Sequence, residues 1–170
     1  MTTATLMLRP IRPEDQPFLY EVYASTRLEE LAPLGWNADQ QAAFLTQQFN
    51  AQHQYYQANY PGADFQIILV NDQPAGRIYV DRRIDEIRLI DIALLPEYRN
   101  GGIGSRLLKD LLAEAARAGK PVRIHVEKFN PALRLYERLG FSISDDRGVY
   151  WFMEWRPRRE MSTTIAHAGS

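Results

Sequence analysis

The sequence predicts a single α/β (α+β) domain: a mixed, mostly antiparallel, twisted sheet of about seven strands flanked by about four helices. Three patterns predict it. Residues 65–70, 75–82 and 86–95 are strand-like runs separated by the short turns Asn71-Asp72-Gln73-Pro74 and Arg83-Ile84-Asp85, which reads as an antiparallel meander. Residues 86–127 then run strand, glycine turn, amphipathic helix, strand, a length that suits one right-handed crossover between parallel strands. Finally, 170 residues with 45% hydrophobic and 24% charged side chains suffice for one core and are few for two.

The elements follow in order. Residues 6–9 form a short strand candidate, and Pro10 to Asp15 caps a helix expected over 13–25, with Phe18, Leu19, Val22 and Tyr23 on its core face. Residues 26–36 read as a connector. Asn37 with Gln40 three residues on is a capping pair for a long helix to about residue 59, carrying Leu45, Phe49 and Tyr56 on one stripe. His53 reads as a surface histidine there, and Pro61-Gly62 ends the element. In the strand 86–95, Ile87 and Leu89 alternate with Glu86 and Arg88, but Ile90 and Ile92 are apolar on the opposite phase. Such a change of phase means a bulge or a fully buried stretch.

The helix 102–118 has Ile103, Leu107, Leu108, Leu111, Leu112 and Ala115 on its core face, and Gly119 stops it. Asn130 and Pro131 suit the start of another helix, Gly140 its end, and strands are expected at 141–145 and 149–155. The domain is taken as residues 1–156, with 157–170 a disordered tail.

Composition narrows the function. A net charge of −1 favours neither nucleic acid nor a membrane surface as partner. The absence of cysteine excludes a disulfide framework, a thiolate zinc site and a cysteine acyl-enzyme, and no metal is expected. No basic leader precedes an apolar run, and no apolar run approaches the roughly 18 residues of a membrane span. A soluble, cytoplasmic protein is expected.

Two stretches carry chemistry. In Arg99-Asn100-Gly101-Gly102-Ile103-Gly104-Ser105, three glycines within four residues let backbone approach a ligand closely, and the following helix aims unpaired N–H groups and positive charge at it. That combination suits an anion, most often phosphate. A Walker loop would need a Lys after the last glycine, and a dinucleotide fingerprint a glycine where Leu107 stands. A plain tight turn is the other reading. The second stretch is Asn130-Pro131-Ala132-Leu133-Arg134-Leu135-Tyr136-Glu137-Arg138-Leu139-Gly140-Phe141. Arg99-x-x-Gly102-x-Gly104 after strand-Pro resembles the acetyl-CoA pyrophosphate loop of the GNAT superfamily of N-acetyltransferases. The Asn…Leu-Tyr-Glu-x-x-Gly-Phe pattern resembles the second signature of the same superfamily. Here Tyr136 stands six positions after Asn130, where many members have seven.

The resemblance implies a GNAT fold with a splayed parallel strand pair at its centre and acetyl-CoA as cosubstrate. It implies acetyl transfer to a primary amine of a small molecule or protein by direct attack in a ternary complex. A silent acyl-CoA-binding regulatory module is the alternative. For the cofactor it points to Leu94 and Leu95 on the pantetheine arm and to Arg99, Asn100, Gly101, Gly102, Ile103, Gly104 and Ser105 on the phosphates. Asn130 would bind pantetheine, with Arg134 near the phosphates. The connector residues Glu29, Glu30 and Trp36 would border the acceptor, and family habit points to a homodimer.

The reaction needs a neutral amine, oxyanion stabilisation and a proton for the departing thiolate. By resemblance Tyr136 donates that proton, its phenol pKa of about 10 suiting a thiolate of about 8–9; a packing role that only positions CoA is the other reading. His125 occupies the position of a glutamate in bacterial acetyltransferases that act on ribosomal-protein N-termini. With an ordinary pKa of about 6.5 it could act as base, or be a hydrogen-bonded sheet histidine. Asp91 lies in an apolar run and needs a partner. It could be the base, orient His125, hold the substrate ammonium, or pair structurally with an arginine such as Arg88. The arginines at 77, 82, 83 and 88 hint at an acidic group on the acceptor, against the default of surface arginines.

Overall fold

A computed structural model of the chain describes residues 4–158; most of the expected tail lies outside the described residues. Seven strands form one mixed sheet: β1 (Leu6–Pro10), β2 (Asp64–Val70), β3 (Gln73–Arg82), β4 (Ile87–Leu94), β5 (Val122–Glu127), β6 (Ser142–Arg147) and β7 (Tyr150–Trp155). Their order is β1-β2-β3-β4-β5-β7-β6. The four helices are α1 (Gln16–Leu31), α2 (Ala38–Asn59), α3 (Ile103–Ala118) and α4 (Leu133–Arg138). The β1/β2, β2/β3, β5/β7 and β6/β7 pairs are antiparallel, whereas β4 and β5 are parallel through Ile87↔Val122 and Arg88↔Arg123. The expected α+β class with its mixed sheet is the one that forms. The described residues divide into two compact units, one running to Arg82 and including Leu89–Arg106, the other comprising Arg83–Arg88 and the chain from Leu107.

In the first unit the helical spacing of Leu19, Tyr23 and Leu31 on α1 and of Leu45 and Phe49 on α2 assembles a core with Ile67 of β2. Asn37 and Gln40 make the reciprocal capping box: Gln40 N donates to Asn37 Oδ1 (2.8 Å), and Asn37 N to Gln40 Oε1 (3.0 Å). The entry to α1 is tied by Asp15, whose carboxylate accepts 2.8 Å bonds from both terminal nitrogens of Arg9 and a 2.7 Å bond from Arg12 N. The Arg9 hydrogen bond, foremost, holds the Asp15 carboxyl below its ordinary pKa.

Helix α1 is longer than its sequence pattern suggests. The expected connector is helical to Leu31, because Arg27-Leu28-Glu29-Glu30-Leu31 are mostly strong helix formers with no breaker until Pro33. The chain turns only at Gly35, in the left-handed region at φ 67°. The β2–β3 hairpin closes on Asn71 and Asp72, both at positive φ, the arrangement that matches strand twist.

In the second unit Leu107, Leu108, Leu111, Leu112 and Ala115 of α3 are buried, as are Val122, Ile124 and Val126 of β5 and Met153 of β7. Alternation along β5 puts Arg123, His125 and Glu127 on the opposite face. Helix α4 is shorter than expected. Asn130 accepts a 2.8 Å bond from Ala132 N at its side chain and a 3.0 Å bond from Leu133 N at its carbonyl. It therefore caps a turn leading into the helix, and the helix itself opens after Ala132.

Candidate active site

The glycine stretch is built in the first unit. Strand β4 ends at Leu94, a single 3₁₀ turn spans Pro96–Tyr98, and the backbone then winds through Asn100 (φ 62°) and Gly102 (φ 84°) into α3. A side chain at Gly101, Gly102 or Gly104 would meet nothing within 4 Å, so this backbone borders open space. The first turn of α3 has no acidic residue. Its leading N–H groups, which a helix cannot satisfy internally, therefore face that space with no competing carboxylate in the turn. Arg99 holds the loop from behind: its Nε donates to Leu94 O (2.9 Å) and its Nη2 to Ser25 Oγ (3.1 Å). Its guanidinium thus braces the loop, which leaves backbone as the element offered to an anion.

A cleft of about 390 Å³ lies beside this brace, lined by residues of α1 including Ala24, Ser25 and Leu28 and by Leu95, Pro96 and Glu97. Glu29 and Glu30 are not in its lining; both are exposed on α1, with Glu30 3.3 Å from Arg27. Trp36 sits edge-on to Phe44 at 5.2 Å and covers the α1–α2 core.

Asp91 is paired with Arg77, and Arg88 with Glu86. The Asp91 carboxylate takes Arg77 Nε at 2.6 Å, and Arg77 Nη2 also reaches Gln52 Oε1 at 2.8 Å. Arg77 is 4% exposed, which reverses the default reading of a surface arginine. Burial opposes its charge, and Asp91 with the nearby tyrosines outweighs that effect, keeping its pKa raised. The guanidinium lies 5.0 Å above the Tyr79 ring, which also packs edge-on to Phe65 and Tyr56. His53 is half-buried and stacked on Phe49 (5.7 Å), so it is not the surface residue expected; burial, then Arg77, push its pKa down. Arg77 thus occupies the Asp91 carboxylate as its ion-pair partner.

In the second unit Tyr136 is buried on α4, its ring 5.6 Å from Phe141, while Arg134 of the same helix is exposed. His125 is half-buried on β5 against Phe152 (4.8 Å), with Arg147 Nη1 3.4 Å from its Nε2. Burial first, then Arg88 and Arg147, lower its pKa, so the imidazole is neutral at neutral pH. The sequence pattern does not mark Arg77 and Arg147 as the partners of Asp91 and His125. The available signal was Arg77 inside an apolar strand, where an unpaired charge is costly.

A sequence profile of the acetyltransferase (GNAT) family matches residues 19–141, well over half of the chain. The chain belongs to the GNAT family. Among curated proteins, the [ribosomal protein bS18]-alanine N-acetyltransferase of Haemophilus influenzae is 33% identical over 85 residues, or 49% of this chain. The chain spans 58% of that relative's length. Among solved structures, the PaiA N-acetyltransferase of Thermoplasma acidophilum in complex with coenzyme A superposes with a TM-score of 0.68 at 19% identity. That match covers 89% of this chain and 99% of the other. An acetyltransferase from Thermus thermophilus gives 0.64 at 19% identity over 91% and 97%. At such identities the likeness is one of fold, and the GNAT fold is the one expected from the two signatures. Among the described residues no helix is long and apolar enough to cross a membrane, and no group of acidic or histidine side chains could hold a metal.

Proposed function

We propose that this GNAT protein transfers the acetyl group of acetyl-CoA to a primary amine, of a small molecule or a protein, by direct attack in a ternary complex. The observation that carries the reading is the 99–105 loop: open backbone at three glycines, braced by Arg99 and running into a helix whose first turn has no acid. This is a fitting cradle for the diphosphate of coenzyme A. When bound, acetyl-CoA supplies an activated thioester. On this reading, by the family resemblance, Leu94 and Leu95 contact its pantetheine arm, and Asn130 and Arg134 are further cofactor contacts. The bS18-alanine relative makes a protein N-terminus a sensible first acceptor to try. The family resemblance also underlies the expectation of a homodimer, whereas composition and chain length underlie those of a cytoplasmic enzyme and one catalytic domain.

Tyr136 is assigned as the acid that returns a proton to the thiolate, and His125 as the base, directly or through water. His125 is preferred to Asp91 because it is neutral at neutral pH, whereas Asp91 is held by Arg77. Tyr136→Phe should lower turnover by about 10² or more with the acetyl-CoA Kd unchanged, as general acids contribute roughly 10²–10⁴. Thiol release and calorimetry check both halves. Near-normal turnover of that variant would end the acid role. Calorimetric silence with coenzyme A would end the whole reading, and binding without thiol release for any amine would favour the regulatory module.

The pH dependence follows from His125. Its pKa is depressed, so the rate should rise with pH along a limb whose midpoint lies below the ordinary value of about 6.5. In His125→Ala that limb should vanish together with most of the rate. An unchanged limb in that variant would remove His125 as the base.

A further inference from the structure

The polar face of the second unit's sheet gathers cations around one aromatic ring. Parallel pairing puts Arg88 of β4 beside Arg123 of β5, and antiparallel pairing puts His125 opposite Phe152 of β7. Arg147 belongs to β6, on the other side of β7. The Arg88 guanidinium reaches over the Phe152 ring to 5.2 Å from its centroid, the Arg147 guanidinium to 4.6 Å, and the His125 ring to 4.8 Å.

The acids nearby are already engaged. Glu86, a buried carboxylate, is shared by Arg88 (3.0 Å), Arg123 (3.6 Å) and Arg83 (3.8 Å). Asp145 is tied to Arg147 Nε (2.6 Å), and Glu154 to Arg123 (2.9 Å). Arg88 binds Glu86 through Nε and Nη2 and Arg147 uses Nε and Nη1, so Arg88 Nη1 and Arg147 Nη2 have no hydrogen-bond partner among the described residues. Two guanidiniums held over an apolar ring, with donors to spare and a neutral imidazole beside them, are arranged to take a planar oxyanion.

We propose that Arg88, Arg147 and His125 on the Phe152 ring form a carboxylate-binding subsite, so that the acceptor amine carries a carboxylate. This rests on the acetyl-transfer reading above and specifies its acceptor class. The subsite lies on the face of β5 that bears His125, the assigned base, so it would hold the acceptor by its acidic end. Burial first, then the two arginines, lower the His125 pKa against the opposing pull of Glu86. Arg123 and Glu127 on β5 and Glu154 on β7 complete the charged groups of that face.

The test uses the full-length protein and glutarate as probe, with glutaramide as the uncharged control. The His125 ring resonance is followed by NMR across pH at constant ionic strength. Glutarate should bind saturably and raise the His125 pKa, since an added negative charge favours imidazolium, while glutaramide should leave it unmoved. Arg147→Gln removes an exposed side chain and should keep the melting temperature while weakening glutarate about tenfold, because a charge-assisted hydrogen bond is lost. Arg147→Lys should fall between. A shift no larger than chloride gives, or equal binding by Arg147→Gln, overturns the subsite.

Thiol release with amino acids against their primary amides separates the two claims. Faster transfer to the acids supports the subsite, and equal rates overturn it as an acceptor site while transfer stands. If neither class releases thiol, the transfer reading fails, and the glutarate titration still decides whether the carboxylate site exists.

Discussion

Replacing Arg77 by Leu should cost about 3–5 kcal/mol of stability, the usual penalty for removing one partner of a buried ion pair. Arg77 is almost wholly buried, with Asp91 at 2.6 Å and Gln52 at 2.8 Å. The substitution strands the Asp91 carboxylate and leaves the Gln52 carbonyl without this donor. Asp91 keeps 24% exposure of its side chain and can regain some water, which argues for the lower part of that range. At roughly 2–4 °C per kcal/mol for a chain of this size, thermal unfolding should move down by about 10 °C. Arg77→Leu combined with Asp91→Leu should recover part of the loss, since two apolar groups leave no charge behind. A single variant melting within a degree of the parent would show the pair to be dispensable.

Gly76→Ala should be nearly as damaging, for a steric reason. A Cβ at Gly76 would run into the Ala93 carbonyl oxygen and come within 2.9 Å of Leu94 Cα, both backbone atoms of β4. A flexible side chain could swing aside; a strand whose next residue donates Leu95 N to Ala75 O at 2.8 Å is less able to move. Overpacking against atoms that cannot yield costs about 1–3 kcal/mol and at times more, and the upper end is expected. The displaced residues, Ala93 and Leu94, lead directly into the loop before α3. Acetyl-CoA affinity should therefore fall along with the urea midpoint. A variant that unfolds at the parental urea concentration and binds normally would mean that β3 and β4 are looser than this approach implies.

Both effects depend on contacts that no local reading reveals. The helix signals were legible: Asn37 with Gln40 announces its own capping box, Gly119 its own stop, and the apolar stripe of α3 its own buried face. The meander and the crossover were legible too, because strand runs and turn residues are neighbours in sequence. What escaped was decided across the fold. Arg77 and Asp91 are 14 residues apart, and only the stacking of β3 beside α2 and β4 makes Arg77 a core residue. The same burial turned His53 from a surface side chain into one stacked on Phe49. Local propensity also ran past the expected boundary of α1, carrying Glu29 and Glu30 onto a helix instead of a loop. Of the candidate site, the glycine loop could be read directly, whereas the partners of Asp91 and His125 needed the strand neighbours.

Strand β7 lies between β5 and β6, yet the ribosome makes it after both. Until residues 150–155 have left the exit tunnel, β5 lacks its antiparallel partner and β6 has no strand to join. A nascent chain that has emerged from the tunnel only as far as about residue 148 would thus expose two open strand edges, one flanked by His125 and the other by Asp145 and Arg147. Completion of this half of the sheet waits on β7, and a premature stop at Tyr150 leaves both edges unpaired.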